Sequence, residues 1–373
     1  MDLCELRSRI NEVDKQIEEL YKERMGLCIN VAEYKHKHDM EIFQSAREQE
    51  ILDRVMNDMP EDLSRGAGVL FSTLMDISKL LQYEKICGSK ETISTKPLDL
   101  SSPAEIAVPG ISGSYNHIAC RSFSENLKPR FFNTFREVFA AVEKGITKFG
   151  IVPIVNSTAG TVGQTYELLK EYDLKICYTH KMRINHCLAA REGVRLEDIK
   201  EIHSHPQALR QCSHFISSHK FMSVPAENTS LAAKEVAERN DKAIAAICSE
   251  ECAAEQGLKV LNSQIADADQ NYTRFILIAK EAYVPKGANI ISVSLSLPHR
   301  SASLYRLLTK FAASGLNLVM IESRQIANTD FDVVFYLDFE GSIDSTQVRM
   351  LMGELQYELS YFKFLGNYKY TDM

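Results

Sequence analysis

Phe149-Gly-Ile-Val-Pro-Ile154 is a short apolar run that breaks off into Val155-Asn-Ser-Thr158, with a glycine at position 160. A run of this length bounded by polar turn residues is the pattern of a buried strand; a helix would repeat its apolar positions at three and four. Working outward, three more runs have the same character: Ile106-Ala-Val108 before Pro109-Gly110, residues 243–247, and residues 275–279. Helical patterns alternate with them. Such alternation defines an α/β domain, with strands expected to be parallel and ligands expected at their C-terminal ends. The Pro109-Gly110 turn and Asn156-Ser-Thr158 occupy such ends.

At 373 residues the chain exceeds one ordinary core, so a multidomain protein of two or three domains is expected. Hydrophobic residues at 45% and charged residues at 25% are the proportions of a soluble globular protein. Lys plus Arg is 43 against Asp plus Glu at 50, a net charge of -7. No overall positive field exists to attract nucleic acid or an anionic membrane, whereas small anionic substrates need only local cations. The opening Met-Asp-Leu-Cys-Glu-Leu-Arg does not read as a signal peptide, and no stretch has the length of an apolar span. The nine cysteines are scattered without a CxxC pair, which predicts buried thiols in the cytoplasm, without a disulfide or a zinc site.

At the N-terminus the apolar positions Leu3, Leu6, Ile10, Val13, Ile17, Leu20, Leu27, Val31 and Tyr34 are spaced by three and four, the stripe of one long helix. A helix beyond about 25 residues with such a stripe is expected to bury it against another long helix, one from a second subunit. Continuing the stripe lands on Arg24, where an apolar residue was due, and Lys35 lies on nearly the same face. A cation on a buried face is costly without a partner. Two further helical stripes follow, Ile51/Leu52/Val55/Met56 and Leu70/Leu74/Ile77/Leu81. Ser78 and Gln82 stand on the Phe71/Met75 face of the latter, and Ser45-Ala-Arg-Glu48 fits a capping box. Residues 88–103 carry no periodicity and read as a linker.

From residue 289 the order changes to a strand at 290–297, a helix at 304–311, strands at 316–321 and 331–338, and a helix at 348–355, the ferredoxin-like α+β arrangement.

Residues 3–85 resemble the all-α chorismate mutase family, in positions drawn from three helices. The resemblance implies that Arg7, Arg24 and Arg47 hold the two carboxylates of chorismate, that Lys35 and Gln82 donate to the breaking ether oxygen, and that Glu48 takes the ring hydroxyl. Ser78 and Gln44 complete the contacts, with Gln44 standing where the family usually has Asp, and Arg7 is implied to reach into a partner subunit's site. A pericyclic rearrangement needs no nucleophile, so these residue types suit it: they hold one conformer and stabilise developing charge.

Residues 105–280 resemble prephenate dehydratase through Val108-Pro-Gly-Ile-Ser-Gly-Ser-Tyr-Asn116, Gly150-Ile-Val-Pro-Ile-Val-Asn-Ser-Thr-Ala-Gly160, Ser204-His-Pro-Gln-Ala-Leu209 and Asn271-Tyr-Thr-Arg-Phe275. The resemblance implies a two-lobed α/β fold and prephenate contacts from Ser114, Asn156, Ser157, Thr158, Thr273, Arg274 and Phe275. Thr273 would serve the leaving hydroxyl and Arg274 a carboxylate. Physically, Gly110 and Gly113 allow backbone N–H groups to approach an anion, and 156–158 at a helix start would add donors. Asn116 and Val155 depart from the family's Ser and Glu. His205 is expected to cap its helix rather than to catalyse. No metal or cofactor motif is visible, so no cofactor is expected.

Residues 290–368 resemble the ACT regulatory domain through Leu304-Tyr305, Phe311-Ala312, Leu316-Asn-Leu318 and Ile321-Glu-Ser-Arg324. The resemblance implies phenylalanine as effector, bound by Ala302, Ser303, Leu304, Glu322, Ser323 and Arg324; the family usually has Gly where Ala302 stands and Pro where Gln325 stands. The expected organisation is a mutase domain at 1–86, a linker at 87–104, a dehydratase domain at 105–282 and a regulatory domain at 289–369, in a homodimer or higher homo-oligomer. The implied substrates are chorismate and prephenate, with no nucleic acid or membrane partner. Two rivals remain at this point: arogenate as the dehydratase substrate, and a phenylalanine-sensing protein with a degraded dehydratase site.

Overall fold

The computed structural model describes residues 2–40, 42–86, 93–268, 270–325 and 333–370. The chain divides into two compact units, residues 1–93 with 291–364 and residues 94–290 with 365–373. No helix among the described residues is long and apolar enough to cross a membrane.

In the first unit, α1 runs Leu3–Lys37, as its three-four spacing predicts. Asp2 and Glu5 start it as a reciprocal capping box: Asp2 Oδ1 accepts from the Glu5 N–H at 2.8 Å and Glu5 Oε2 from the Asp2 N–H at 2.9 Å. Helices α2 (Ser45–Asp58) and α3 (Glu61–Ile86) follow, and α1 and α2 both pack on α3. The apolar stripe of α1 stays uncovered within one chain, with Leu3, Ile10, Ile17 and Leu20 each between 58% and 64% exposed. The expected capping box of α2 does not form. Gln44 holds the N-cap position without a side-chain bond, which puts Glu48 one residue too far along to reach back to it.

The C-terminal part of this unit has a strand Ile290–Ser296, a helix Ser303–Ala313, strands Leu318–Gln325 and Val333–Glu340, and a helix Thr346–Glu358. A last strand, Phe362–Tyr368, was not apparent from periodicity. The four strands form one sheet in the order second, third, first, fourth, the β-α-β-β-α-β ferredoxin-like layout. Phe311 and Phe339 meet edge to face in its core. Residues 331 and 332 of the expected third strand lie outside the described residues.

The second unit has two lobes. The first is built on a sheet ordered Leu127–Phe132, Ala104–Pro109, Phe149–Asn156, Tyr272–Ala279, Lys175–Arg183. The second sheet is ordered Lys259–Asn262, Cys187–Ala190, Ile244–Cys248, Glu201–Ser204, Met222–Pro225. All four strand readings hold, but the sheets are mixed rather than parallel. After Arg183 the chain builds the second lobe and returns through Tyr272–Ala279, which lies antiparallel to both of its neighbours. The linker reading also needs correction. Residues 87–92 lie outside the described residues, but Lys96–Pro97 pairs with Tyr283–Val284, and Leu98 and Leu100 pack on the first lobe's core.

Candidate active sites

In the helical region, the spacing that singled out Arg24 places it against α3, where Nη1 donates to Ser78 Oγ at 2.6 Å and to the Leu74 carbonyl at 3.1 Å. Ser78 is buried and in turn donates to Leu74 O at 2.5 Å. Lys35 is also buried, and its Nζ donates to the Ile42 carbonyl at 2.7 Å. Burial holds this ammonium below the usual lysine range, with Glu48 pulling the other way. One turn beyond Ser78, Gln82 is buried, and its Oε1 has no hydrogen-bond partner among the described residues. Arg24, Ser78, Lys35, Gln82 and Glu48 are therefore the members of the set that face the interior. Arg7 and Gln44 are exposed, and Arg47 pairs with Glu50 at 2.7 Å on the surface.

Glu48 joins a cluster that the sequence reading missed. It meets Lys79 Nζ at 3.0 Å and Arg306 Nη2 at 3.2 Å, and Arg306 also holds Asp76 through two bonds of 2.6 and 3.0 Å. Lys79 continues to Glu358 at 2.9 Å, as does Lys310, which also binds Glu354. The one available signal was Asp76 and Lys79 at i and i+3 on α3, a pairing that carries no mark of burial in the sequence. Burial alone would raise the Asp76 carboxyl, but the Arg306 hydrogen bond, with the charges of Lys79, Arg306 and Lys310, holds it below the usual aspartate range. Its stabilising contribution is therefore present above the unfolded value of about 3.9 and is lost as pH falls through the lower folded value. Asp76→Asn should leave buried Lys79 and Arg306 short of a counter-charge and cost about 3 kcal/mol in urea unfolding at neutral pH. The difference from the native chain should shrink in acid; a variant as stable as the native chain at neutral pH would count against the cluster.

In the two-lobed unit, the Phe149–Asn156 strand and the returning Tyr272–Ala279 strand place Thr273 directly across from Asn156. Asn156 Nδ2 donates to Thr273 Oγ1 at 2.9 Å and to Asn271 Oδ1 at 2.7 Å. Thr158 Oγ1 and the N–H groups of Thr158 and Ala159 all donate to Asn156 Oδ1, at 2.8, 3.1 and 2.9 Å. Asn156, Thr158 and Thr273 are thus one connected group, and Asn271 is a member that the sequence reading did not name as a site residue.

Several expectations change. Residues 156–158 form a side-chain-closed turn rather than a helix start, since the next helix is Gly163–Glu171; the Thr158 N–H serves Asn156 and the Ser157 N–H donates to Tyr272 O at 2.8 Å, so neither is offered to an anion. The N–H groups of Gly110 and Gly113 are likewise used internally, by Phe132 O at 2.8 Å and His117 Nδ1 at 3.0 Å. Gly113 has a different reason to be glycine. Its φ is +80°, and a Cβ there would stand 2.7 Å from Cys252 Cα of the opposite lobe. Ser157 Oγ accepts from the Tyr272 N–H at 2.9 Å, and Ser114 caps the Tyr115–Phe123 helix. His205 caps Pro206–Gln211, as expected.

Of the Thr-Arg-Phe run, only Thr273 lies in the group. Phe275 belongs to the first lobe's core, and Arg274 Nη2 donates to the Tyr370 hydroxyl at 2.7 Å, its guanidinium over that ring. Val155 is Arg274's cross-strand partner, so a carboxylate at 155 would have stood opposite the guanidinium.

Among the effector candidates, Ala302 starts the Ser303–Ala313 helix with φ 64° and ψ 11°, a left-handed residue with a methyl group. It lines a cavity of about 500 Å³ together with Tyr305, Arg306, Glu48 and Met56. Ser303 Oγ donates to Pro298 O at 2.7 Å, and Leu304 is 38% exposed. Glu322 and Arg324 pair at 3.0 Å on one face of their strand, and Ser323 points to the other.

A helical region bearing buried cations and a two-lobed α/β domain with a hydroxyl and amide group at its central strands are the two candidate sites. Comparison with known proteins agrees. The chorismate mutase type II family model matches residues 6–83, and the prephenate dehydratase family model matches residues 106–283. The arogenate dehydratase/prephenate dehydratase 2 of Arabidopsis thaliana is 31% identical over 74% of this chain and 75% of its own length. The bifunctional chorismate mutase/prephenate dehydratase of Buchnera aphidicola is 29% identical over 98% of this chain and 96% of its own. Among solved structures, the prephenate dehydratase of Arthrobacter aurescens in complex with L-Phe superposes with a TM-score of 0.67 at 29% identity, covering 71% of this chain and 90% of that one. The chain belongs to the prephenate dehydratase family and carries a chorismate mutase region ahead of the dehydratase domain.

Proposed function

We propose that this chain rearranges chorismate to prephenate in its helical region and converts prephenate to phenylpyruvate in its two-lobed domain, as a bifunctional isomerase and lyase of phenylalanine biosynthesis. The observation that carries this reading is the presence of both family matches, in order, in one chain whose bifunctional relative aligns over 98% of it. In the mutase, Arg24 and Lys35 bring positive charge to a ligand bearing two carboxylates, and Gln82 offers a buried amide. In the dehydratase, carbon dioxide leaves as the ring hydroxyl departs and the ring becomes aromatic. Thr273 receives a hydrogen bond from Asn156 and so keeps its own hydrogen for the departing oxygen.

Supplying chorismate to the purified protein and following prephenate and phenylpyruvate tests both halves at once. Accumulation of neither product rejects the reading. The Arabidopsis relative, an arogenate dehydratase/prephenate dehydratase, favours a parallel arm with arogenate; a higher kcat/KM for arogenate would reassign the second substrate.

We further propose that the C-terminal segment is an ACT-type effector domain and that the protein works as a homodimer or larger oligomer. The second-third-first-fourth strand order supports the first, as does the reach of the Arthrobacter likeness, 71% of the chain, beyond residues 106–283. The uncovered stripe of α1, with Arg7 exposed on the same helix, supports the second.

The left-handed Ala302 gives the effector proposal a test. Glycine there removes a conformational cost of about 1 kcal/mol and clears the methyl group from the cavity wall. A change of about 1.4 kcal/mol in differential binding moves the required concentration about tenfold. Ala302→Gly should therefore be inhibited by phenylalanine at lower concentration than the native chain, in a titration of dehydratase activity. Equal response in both leaves position 302 without influence.

A further inference from the structure

Glu48 stands in the first turn of α2, but its carboxylate is held from two other elements. On α3, Lys79 Nζ lies 3.0 Å from Oε1; on the Ser303–Ala313 helix, Arg306 Nη2 donates to Oε2 at 3.2 Å. Arg306 is itself fixed in plane by Asp76, donating from Nη2 to Oδ1 at 2.6 Å and from Nε to Oδ2 at 3.0 Å. Asp76 and Lys79 are 1% and 3% exposed, so this grip is built in the interior.

A glutamate side chain has three rotatable bonds, and a carboxylate left to turn spends little time at one angle. One cation fixes its place; two cations on different oxygens fix its plane as well. Arginine suits that task better than lysine, because its donors form a rigid fork whose other arm is occupied by Asp76. The grip does not exhaust the carboxylate. Each oxygen accepts at two lone pairs and has one cation against it, so one lone pair on each remains for a hydroxyl. Glu48 also stands close enough to buried Lys35 for its charge to be felt there, which ties the grip to the residues that the chorismate mutase resemblance names.

We propose that Arg306, a residue of the C-terminal segment, is a positioning residue for the chorismate rearrangement: locked by Asp76, it orients Glu48 to accept the ring hydroxyl of the substrate. This rests on the reading of Glu48 as the hydroxyl contact of the mutase. The mutase region is then not self-sufficient, because the angle of one of its substrate contacts is set from a helix far along the chain.

The test compares chorismate with an analogue in which hydrogen replaces the ring hydroxyl. In full-length Arg306→Gln, kcat/KM for chorismate should fall about tenfold, whereas the analogue should be rearranged as fast as by the native chain. Arg306→Lys keeps a cation beside Asp76, and so the buried balance of charge, but not the fork; it should show the same discrimination at smaller size. In a Glu48→Ala background, Arg306→Gln should cost little more. A native kcat/KM for chorismate in Arg306→Gln overturns the inference, and a raised one shows instead that Arg306 withholds Glu48 from the substrate. Equal losses on both substrates in both variants overturn it too, since the damage would then be to packing and not to the hydroxyl contact. A native-rate Glu48→Ala removes the hydroxyl assignment and the inference together, whereas a slow Glu48→Ala beside a native-rate Arg306→Gln removes the inference alone.

Discussion

Thr273→Ala should turn a chain that delivers phenylpyruvate from chorismate into one that stops at prephenate. Thr273 is 8% exposed and sits across the central strands from Asn156, whose amide donates to it. The alanine variant leaves that amide without its acceptor and leaves the departing hydroxyl without a donor. A fixed donor at a developing charge is worth about a hundredfold or more, and an alanine offers no substitute within the group, because the Thr158 hydroxyl is already spent on Asn156 Oδ1. Thr273→Ser restores the hydroxyl and should recover most of the rate. The measurement is phenylpyruvate formation from added prephenate, with the mutase step on chorismate as an internal reference. Native phenylpyruvate output from the alanine variant would exclude Thr273 from the chemistry.

How this site could be read from the sequence, and how far, follows from the range of the interactions. Thr273 and Asn156 each stand at the edge of an apolar run, and such runs are visible locally. That the two runs are neighbours in one sheet is not, because the pairing spans more than a hundred residues of chain and depends on the return from the second lobe. The same distance explains why the strands were expected to be parallel. The glycines at 110 and 113 were visible as special residues for their backbone freedom. Their purpose was misread, since an N–H bonded to Phe132 O or His117 Nδ1 looks the same in a sequence as one offered to an anion. Arg274 was assigned to a carboxylate by motif alone, and the Tyr370 that holds it comes from the end of the chain.

In the helical region, three-four periodicity located α1 nearly to its ends and marked Arg24 as a cation on an apolar face. Periodicity says which face a residue occupies, not what covers that face. The partners of Glu48 were therefore out of reach: Arg306 lies 258 residues further on, on a helix of the C-terminal segment. Local pattern likewise suggested a capping box, and the actual helix start moved it by one residue.

Arg24→Ala should abolish most chorismate rearrangement while dehydration of added prephenate continues at the native rate. Arg24 is half-buried, and its guanidinium is held by Ser78 Oγ and the Leu74 carbonyl, two neutral acceptors that leave its charge without a counter-ion among the described residues. A positive charge without a counter-ion among the described residues, on the helix that also carries buried Lys35, is what a substrate with two carboxylates requires. The rearrangement has no covalent step to fall back on, so its rate depends on how firmly the ligand is held in a compact conformer and how well its developing charge is met. Losing this contact should lower mutase kcat/KM by about a hundredfold or more, and Arg24→Lys, which keeps the charge but not the fork of donors, should fall between. The proposed dehydratase group, Asn156, Thr158, Asn271 and Thr273, is built in the other unit, so it should be untouched. Both activities falling together in a folded Arg24→Ala protein would refute separate sites; loss of the first alone would establish them.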